Sequence, residues 1–463
     1  MLFFKTFIFN FIMNNIEYRA LFGLISILFL RVFGLFMLLP VLTIHGIEIH
    51  YATNKLVGIA VGIYGLIQSI FQIPFSFLSD KYGYKKFIII GLIIFVIGNL
   101  IACYKNSIWN IIIGRAIQGL GAITSPSMAL LSDLLDEKNR MKSLGFMGIV
   151  FGAGFSISMF LGPFIVNLFG IQSLFIIASF LGFLSILIAI FIVPCPNKHI
   201  LNRDVSIVKT GIYKIFFNLN LFRLNFSIFC LHIILMFNFI TFPILLNNFG
   251  FLKSNYWKLY FFMVIISFIC SVPVIIYLES KRHTKIFFKI TIVMLFVAEI
   301  LLYFSINNFI LSLLSMQLFF IFFNIKEFLL PFLLSYFAPI GYRGTAIGIF
   351  STYQFFGSFL GSFFSGIILN NFNLKIVFFI SCILIFFWFL LILHMKEPIF
   401  FTNIRFVLSK NVLNSKSFIN FLINQPGIIE VLFFKKENTI HFKIDDKIIN
   451  KISLKKIIIN YLK

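Results

Sequence analysis

The sequence predicts an all-α polytopic membrane protein: 12 transmembrane helices in two six-helix bundles, followed by a small C-terminal α/β unit. Three observations carry that expectation. Of 463 residues, 60% are hydrophobic and only 11% charged. Apolar runs of about 20 residues, the length that crosses a bilayer core, recur along the chain. The longest polar connection falls after the sixth run. A soluble chain of this length would form two or three domains and hold far more charge on its surface.

Apolar windows bounded by polar clusters place spans near 20–43, 56–78, 87–104, 109–131, 143–168, 172–193, 224–247, 257–278, 286–304, 309–337, 344–369 and 373–394. Residues 1–19 carry a lysine and then an apolar run, as a signal peptide does, but no small-residue cleavage site follows. They read as a cytoplasmic or interfacial segment, with an uncleaved signal-like role as the alternative. Residues 20–193 form the first bundle, 194–223 a cytoplasmic linker, 224–394 the second bundle and 395–463 a cytoplasmic tail domain. Six spans, a polar connection and six more are the arrangement of two-half transporters.

The basic residues test the topology. Those in or beside loops after even-numbered spans number 16, against five after odd-numbered spans. By the positive-inside rule both termini then face the cytoplasm, in a plasma (bacterial inner) membrane. Only Arg31, Arg115 and Lys326 among the cations, and Glu299 and Glu327 among the acids, lie inside spans. A charge at the bilayer centre costs roughly 2.5 to 3.5 kcal/mol on insertion scales, so each is a functional candidate.

Other classes recede on composition. The 69 phenylalanines and the many lysines match drift in an AT-rich coding sequence, so the net charge of +23 does not argue for nucleic acid as a partner. The five cysteines are odd in number and scattered, giving neither a disulfide framework nor a metal motif. With no His/Asp metal cluster or nucleophile motif near the membrane surface, neither an enzyme nor a cofactor is expected.

Transport chemistry has several candidates. Glu327 in the tenth span has Asn324 one turn before it, and the two share a face toward a wet cavity. This carboxylate is the first choice as proton carrier. Glu299 is second, with a structural pairing to Lys326 as its competing role. Arg115 has Gln118 three residues on and needs a carboxylate, carbonyl or water as partner. It would tune a nearby carboxylate, since a guanidinium keeps its proton; snorkelling to the periplasmic surface is the bland alternative. Arg31 sits more centrally, where snorkelling is harder. His232 is a further proton candidate, against a packing role. Tyr64, Gln68 and Gln72 recur every four residues along the second span and, with Tyr353 and Gln354, form a polar stripe expected at a central cavity.

Between the second and third spans stands "SDKYGYKKF", with Asp80, Lys81, Gly83 and Lys85. This resembles the loop signature of the major facilitator superfamily, with Ser76 and Tyr84 departing from it. "GRAIQGLGA", holding Arg115, Gln118, Gly119 and Gly121, is similar to the superfamily's fourth-span pattern. Gly162-Pro163 in "SISMFLGPFIV" resembles the antiporter motif of drug and proton exchangers, with Ser158 and Val166-Asn167 departing from it. "RVFGLFMLLPVLT", "IYGLIQSIFQIPFSFLSD" and "GYRGTAIGIFSTYQF", with the tail, resemble the bacterial YajR-type transporters within that superfamily.

The resemblance implies proton-coupled antiport, exporting small hydrophobic or cationic compounds by alternating access; an importer, and more remotely a non-transporting sensor, are the alternatives. It also places the eleventh span beside Asp80, so that Asp133 and Arg140 can complete an ionic latch with Asp80 and Lys85. Plain topology anchoring explains the lysines but not Asp80 or Gly83. From about Asn403 the tail reads as strand, helix, strand, strand, helix, a ferredoxin-like unit similar to heavy-metal-associated domains. It has no cysteine and only His441, so their metal-thiolate site is absent. Binding of a cytoplasmic ligand or partner and a purely structural role remain equally open for it.

Overall fold

The computed structural model describes residues 14–135, 137–195, 215–281, 284–339, 342–395, 402–407, 421–422, 425–434 and 439–444. Helices α1 (Asn15–Phe36) and α2 (Leu38–His45) make the first span. Then come α3 (Asn54–Tyr82), α4 (Tyr84–Cys103), α5 (Ile108–Leu120), α6 (Thr124–Leu134), α7 (Glu137–Phe169) and α8 (Ile171–Phe191). The second half holds α9 (Leu219–Asn248), α10 (Tyr256–Lys281), α11 (Thr284–Phe304), α12 (Phe309–Phe337), α13 (Arg343–Asn371) and α14 (Leu374–Ile392). Every expected span falls on helix, and among the described residues ten helical stretches are long and apolar enough to cross a membrane by length and composition alone. The fourth span does not reach that length because it is divided.

Local chemistry sets where helices start and break. The first helix begins inside the expected N-terminal segment, at Asn15, because the Glu17 carboxylate accepts the Asn14 N–H at 3.0 Å. Span 7 begins five residues ahead of its window, with the Asn218 side chain accepting from the N–H groups of Asn220 and Leu221. The first and fourth spans, expected to be continuous, are each split in two. In both, a proline stands at the third position of the second piece, Pro40 in α2 and Pro126 in α6. Proline lacks the N–H and crowds the carbonyl four residues back: Phe36, where α1 stops, and Ala122, in the three-residue gap after α5 stops at Leu120.

Burial sorts the helices into central and peripheral sets. Of the most apolar 18-residue window, 89% is buried in α9 but only 33% in α14, whose Phe386 and Phe387 are exposed in the manner of lipid-facing residues. Helix α13 packs along α9 within its own half and along α3 of the other, and α7 packs along α10; the α3–α13 and α7–α10 pairs join the halves. The α3–α13 seam is made of small residues. A Cβ at Gly65 would lie 2.6 Å from the Phe355 carbonyl oxygen, and one at Gly58 would collide with that of Ser362.

At one end of the bundle several polar and aromatic contacts cross between the halves. Lys253 pairs with Glu48, which also accepts from His45 Nδ1 at 2.8 Å. Asn167 donates to Ser254 O at 3.0 Å, Asn54 to Leu369 O at 3.4 Å, and Phe164 meets Trp257 edge-on. The halves also share a fastening of their own. Arg19, at the start of the first span, donates to Phe191 O at the end of the sixth. Arg223, at the start of the seventh, donates to His394 O at the end of the twelfth. Cations on the terminal carbonyls of a helix complement its dipole.

In the tail, β1 (Thr402–Val407), β2 (Ile428–Phe434) and β3 (Thr439–Ile444) form an antiparallel sheet in the order β1-β3-β2. Thr402 faces Ile444, and Phe434 faces Thr439. The strand β3 therefore lies between two strands that run parallel to each other. The tail's expected helices fall almost wholly outside the described residues, as does most of the linker.

Candidate functional site

Two polar clusters stand near mid-span, one in each half. In the first half the proline break in the fourth span leaves carbonyls without helical partners, and the Arg31 guanidinium donates to one of them, Gly121 O. Arg115, two turns into α5, donates to Gln118 Oε1 and to Val61 O, both at 3.4 Å, and lies over the Tyr64 ring 5.1 Å from its centre. Gln118 passes the network on to Asn99 Oδ1 at 3.0 Å, and Asn99 donates to Phe95 O. Both guanidiniums are buried, with 4% and 3% of their residue surface exposed. Arg115 thus has a carbonyl and an amide as partners rather than a carboxylate.

The stripe on α3 divides. Tyr64 lines a cavity of about 20 Å³ together with Arg31, Thr124 and Phe355, enough for one water. Gln68 and Gln72 are buried and bond to each other at 3.0 Å.

The second half's cluster is built on three helices. Gln354 of α13 donates its amide N–H groups to Glu327 Oε1 at 2.9 Å and to His232 Nε2 at 3.0 Å. His232 Nδ1 faces Ile228 O at 3.2 Å, one turn back on α9, so it carries the hydrogen and Nε2 is left as acceptor. A proton on Nε2 would confront the Gln354 amide hydrogens. This geometry makes His232 a neutral acceptor and leaves the proton to Glu327, whose side chain is 36% exposed while its Oε2 is buried without a hydrogen-bond partner. Asn324, one turn earlier, and Tyr353, edge-on to Phe229, are half-buried beside it.

Glu299 has a different setting. It is fully buried, and Asn238 of α9 donates to its Oε1 at 2.6 Å. The expected pairing with Lys326 is not made: the Lys326 ammonium donates to Phe288 O at 2.8 Å and rests between the Phe288 and Trp388 rings. Phe288 lies three turns from Glu299 on α11, roughly 16 Å along the axis. A carbonyl and two aromatic faces hold this cation.

The signature loop joins α3 to α4 through Gly83, whose φ of +107° is a left-handed setting that a side chain would strain. Asp80 is half-buried in the last turn of α3, and exposed Lys81 lies over Tyr82. Lys85 donates to Val193 O at 2.7 Å and Ile190 O at 3.2 Å, at the end of the sixth span. Asp133 is half-buried in the last turn of α6; the Arg140 side chain falls outside the described residues. Gly162, followed by Pro163 inside α7, is the point where that helix crosses the α1–α2 junction: a Cβ there would collide with the Met37 carbonyl.

Sequence reasoning missed Asn99, the lone amide of its apolar span, and Asn238, the one amide in the middle of its own. Their signal was that an amide in a bilayer needs a partner.

Comparison with known proteins bears on the whole chain. The family model described as Major Facilitator Superfamily matches residues 24–361. The inner membrane transport protein YajR of Escherichia coli (strain K12) is 41% identical over 442 residues, covering 96% of this chain and 97% of that protein. A class H tetracycline resistance protein of Pasteurella multocida is 33% identical over 114 residues, 24% of this chain and 28% of its own. Among solved structures, the human organic anion transporter MFSD10 superposes with a TM-score of 0.58 at 15% identity, over 81% of this chain and 99% of its own, a likeness of fold.

Proposed function

We propose that this chain, which belongs to the major facilitator superfamily, is a proton-coupled exporter working by alternating access. Membership makes it a multi-span membrane transporter rather than an enzyme, and its relative in E. coli is named an inner membrane protein. The observation that carries proton coupling is Glu327: a mid-span carboxylate, partly exposed, held by a neutral amide rather than by a cation. Such a group changes charge without breaking an ion pair. Glu299, sealed against Asn238, lacks that exposure.

Export is supported by Gly162-Pro163 at the crossing of spans 5 and 1 and by the drug-resistance relative. The asymmetric distribution of basic residues puts the loops of Glu48 and Lys253 on the periplasmic side and both termini in the cytoplasm. On that footing the molecule is closed to the outside in this arrangement, with Asp80, Lys81, Gly83 and Lys85 at the opposite, cytoplasmic gate, where Asp133 and Arg140 complete the latch. The tail is a ferredoxin-like unit, and β3 inserted between β1 and β2 agrees with that topology.

The test is uptake into inverted vesicles or proteoliposomes with an imposed pH gradient and a panel of labelled compounds. Accumulation that follows the gradient supports the reading. Accumulation unaffected by collapsing the gradient overturns proton coupling.

A further inference from the structure

The first-half cluster contains two positive charges and no negative one. Each guanidinium offers five N–H groups. Arg31 uses one hydrogen bond, to Gly121 O, and Arg115 uses two that are long at 3.4 Å. The Nε of each is buried and without a hydrogen-bond partner. Among the described residues no carboxylate pairs with either. A buried charge without a counter-charge is expensive, and two in one cluster are more so. Both arginines adjoin Tyr64, and beside Arg31 and Tyr64 lies the cavity, whose polar corner is completed by Thr124. Its other walls include Leu28, Val32 and Phe36.

We propose that the Arg31–Tyr64–Arg115 cluster is the docking point for an anionic group on the cargo, a carboxylate or a comparable oxyanion, so that the transported class is amphiphilic organic anions. This rests on the transport reading and narrows its substrate, replacing the cationic cargo expected from resemblance. Guanidinium N–H groups left idle in the protein match an oxyanion in charge and in number of donors. The cavity of about 20 Å³ takes one oxyanion oxygen in the place of a water, and the rest of the cargo would have to extend past Phe355, so docking needs these walls to part. A cationic group would meet two like charges in a medium of low dielectric constant.

Three probes sharing one apolar body separate the charges: 4-phenylbutyrate, 4-phenylbutylamine and 4-phenylbutyramide, each titrated against the full chain in nanodiscs with Tm as readout. The carboxylate should raise Tm saturably while amine and amide do not. Arg31→Gln and Arg115→Gln should each weaken that response by about tenfold or more, with Arg31→Lys in between. Without ligand, Arg31→Met should melt no lower than the wild type, because it removes an unbalanced charge. No shift from the carboxylate, an equal shift from amine or amide, or retention of the response in both Gln variants overturns the proposal. So does an Arg31→Met protein that is destabilised but binds carboxylate normally. Should Arg31→Met not be purified, Arg115→Gln and Arg31→Lys decide. A shift reproduced in full by equimolar chloride makes this a halide site and removes the cargo claim. Gradient-driven transport of amine or amide alone would sink the anion site and leave the transporter standing. Carboxylate binding without any transport would do the reverse.

Discussion

The two halves solve the same problem, polar groups in a bilayer, in opposite ways. The first half breaks two of its spans at prolines and sets Arg31 against the carbonyl that the fourth-span break exposes. The second keeps its spans unbroken and places neutral amides, Asn238 and Gln354, against its acids. One half presents fixed positive charge, since a guanidinium does not release its proton; the other presents charge that can be switched. On the reading proposed above, the difference gives cargo and proton separate addresses.

The largest effect should come from erasing the switchable side. Glu327→Gln keeps size and hydrogen bonding but cannot titrate, so gradient-driven transport should fall to background while substrate exchange across a vesicle without a gradient persists. Loss of both would mean that the residue binds cargo. Full gradient-driven transport in Glu327→Gln, with loss in Glu299→Gln, would move the proton to span 9.

Asp80→Asn comes next. It should cripple transport with insertion and expression unchanged, if, as proposed, the charge biases a conformational equilibrium at a cytoplasmic gate. Normal transport by a well-expressed variant removes the latch.

Gly162→Ala tests the irregular half by packing alone. The added methyl meets the Met37 carbonyl, and overpacking of this kind costs about 1–3 kcal/mol, read as a lower Tm in detergent. A variant that melts like the wild type would show that α7 can move away from the α1–α2 junction.

Smallest is the outer clamp. Glu48 and Lys253 are half-exposed, and exposed ion pairs contribute about 0.2–1 kcal/mol. Lys253→Gln should shift labelling of an outward-facing cysteine probe by less than about fivefold. Raising the salt should reproduce that shift in the wild type and add little in the variant. Removing the tail after Glu397 should leave a bundle that inserts and survives extraction; failure would make the tail part of the bundle's structure.

Much of the fold was legible because span length and loop charge are properties of composition. The splits at Met37 and Gly121 were less so. Pro40 and Pro126 were in view, but a hydropathy window averages over a broken turn. At the site, Glu327, Arg31 and Arg115 declared themselves by their charge in apolar surroundings. The pairings did not: Gln354, expected only as part of a polar stripe, reaches Glu327, and Asn238, not expected at all, reaches Glu299, each from another helix. Lys326 shows the limit, since its neighbours in the chain are an acid and an isoleucine while its neighbours in space are two rings and a carbonyl.

Tyr64 and Phe355 meet edge-on at 6.0 Å, the first a member of the arginine cluster, the second the residue after Gln354. On the reading proposed above, this ring contact is the place where the two addresses touch and through which coupling between them would run. Coupling free energy is reciprocal. If cargo docking at the arginines changes the proton affinity of Glu327 by some factor, protonation must change cargo affinity by that same factor. Truncating either ring should then uncouple the two, leaving cargo and proton each able to bind but no longer informed of the other, so that the gradient is dissipated without work.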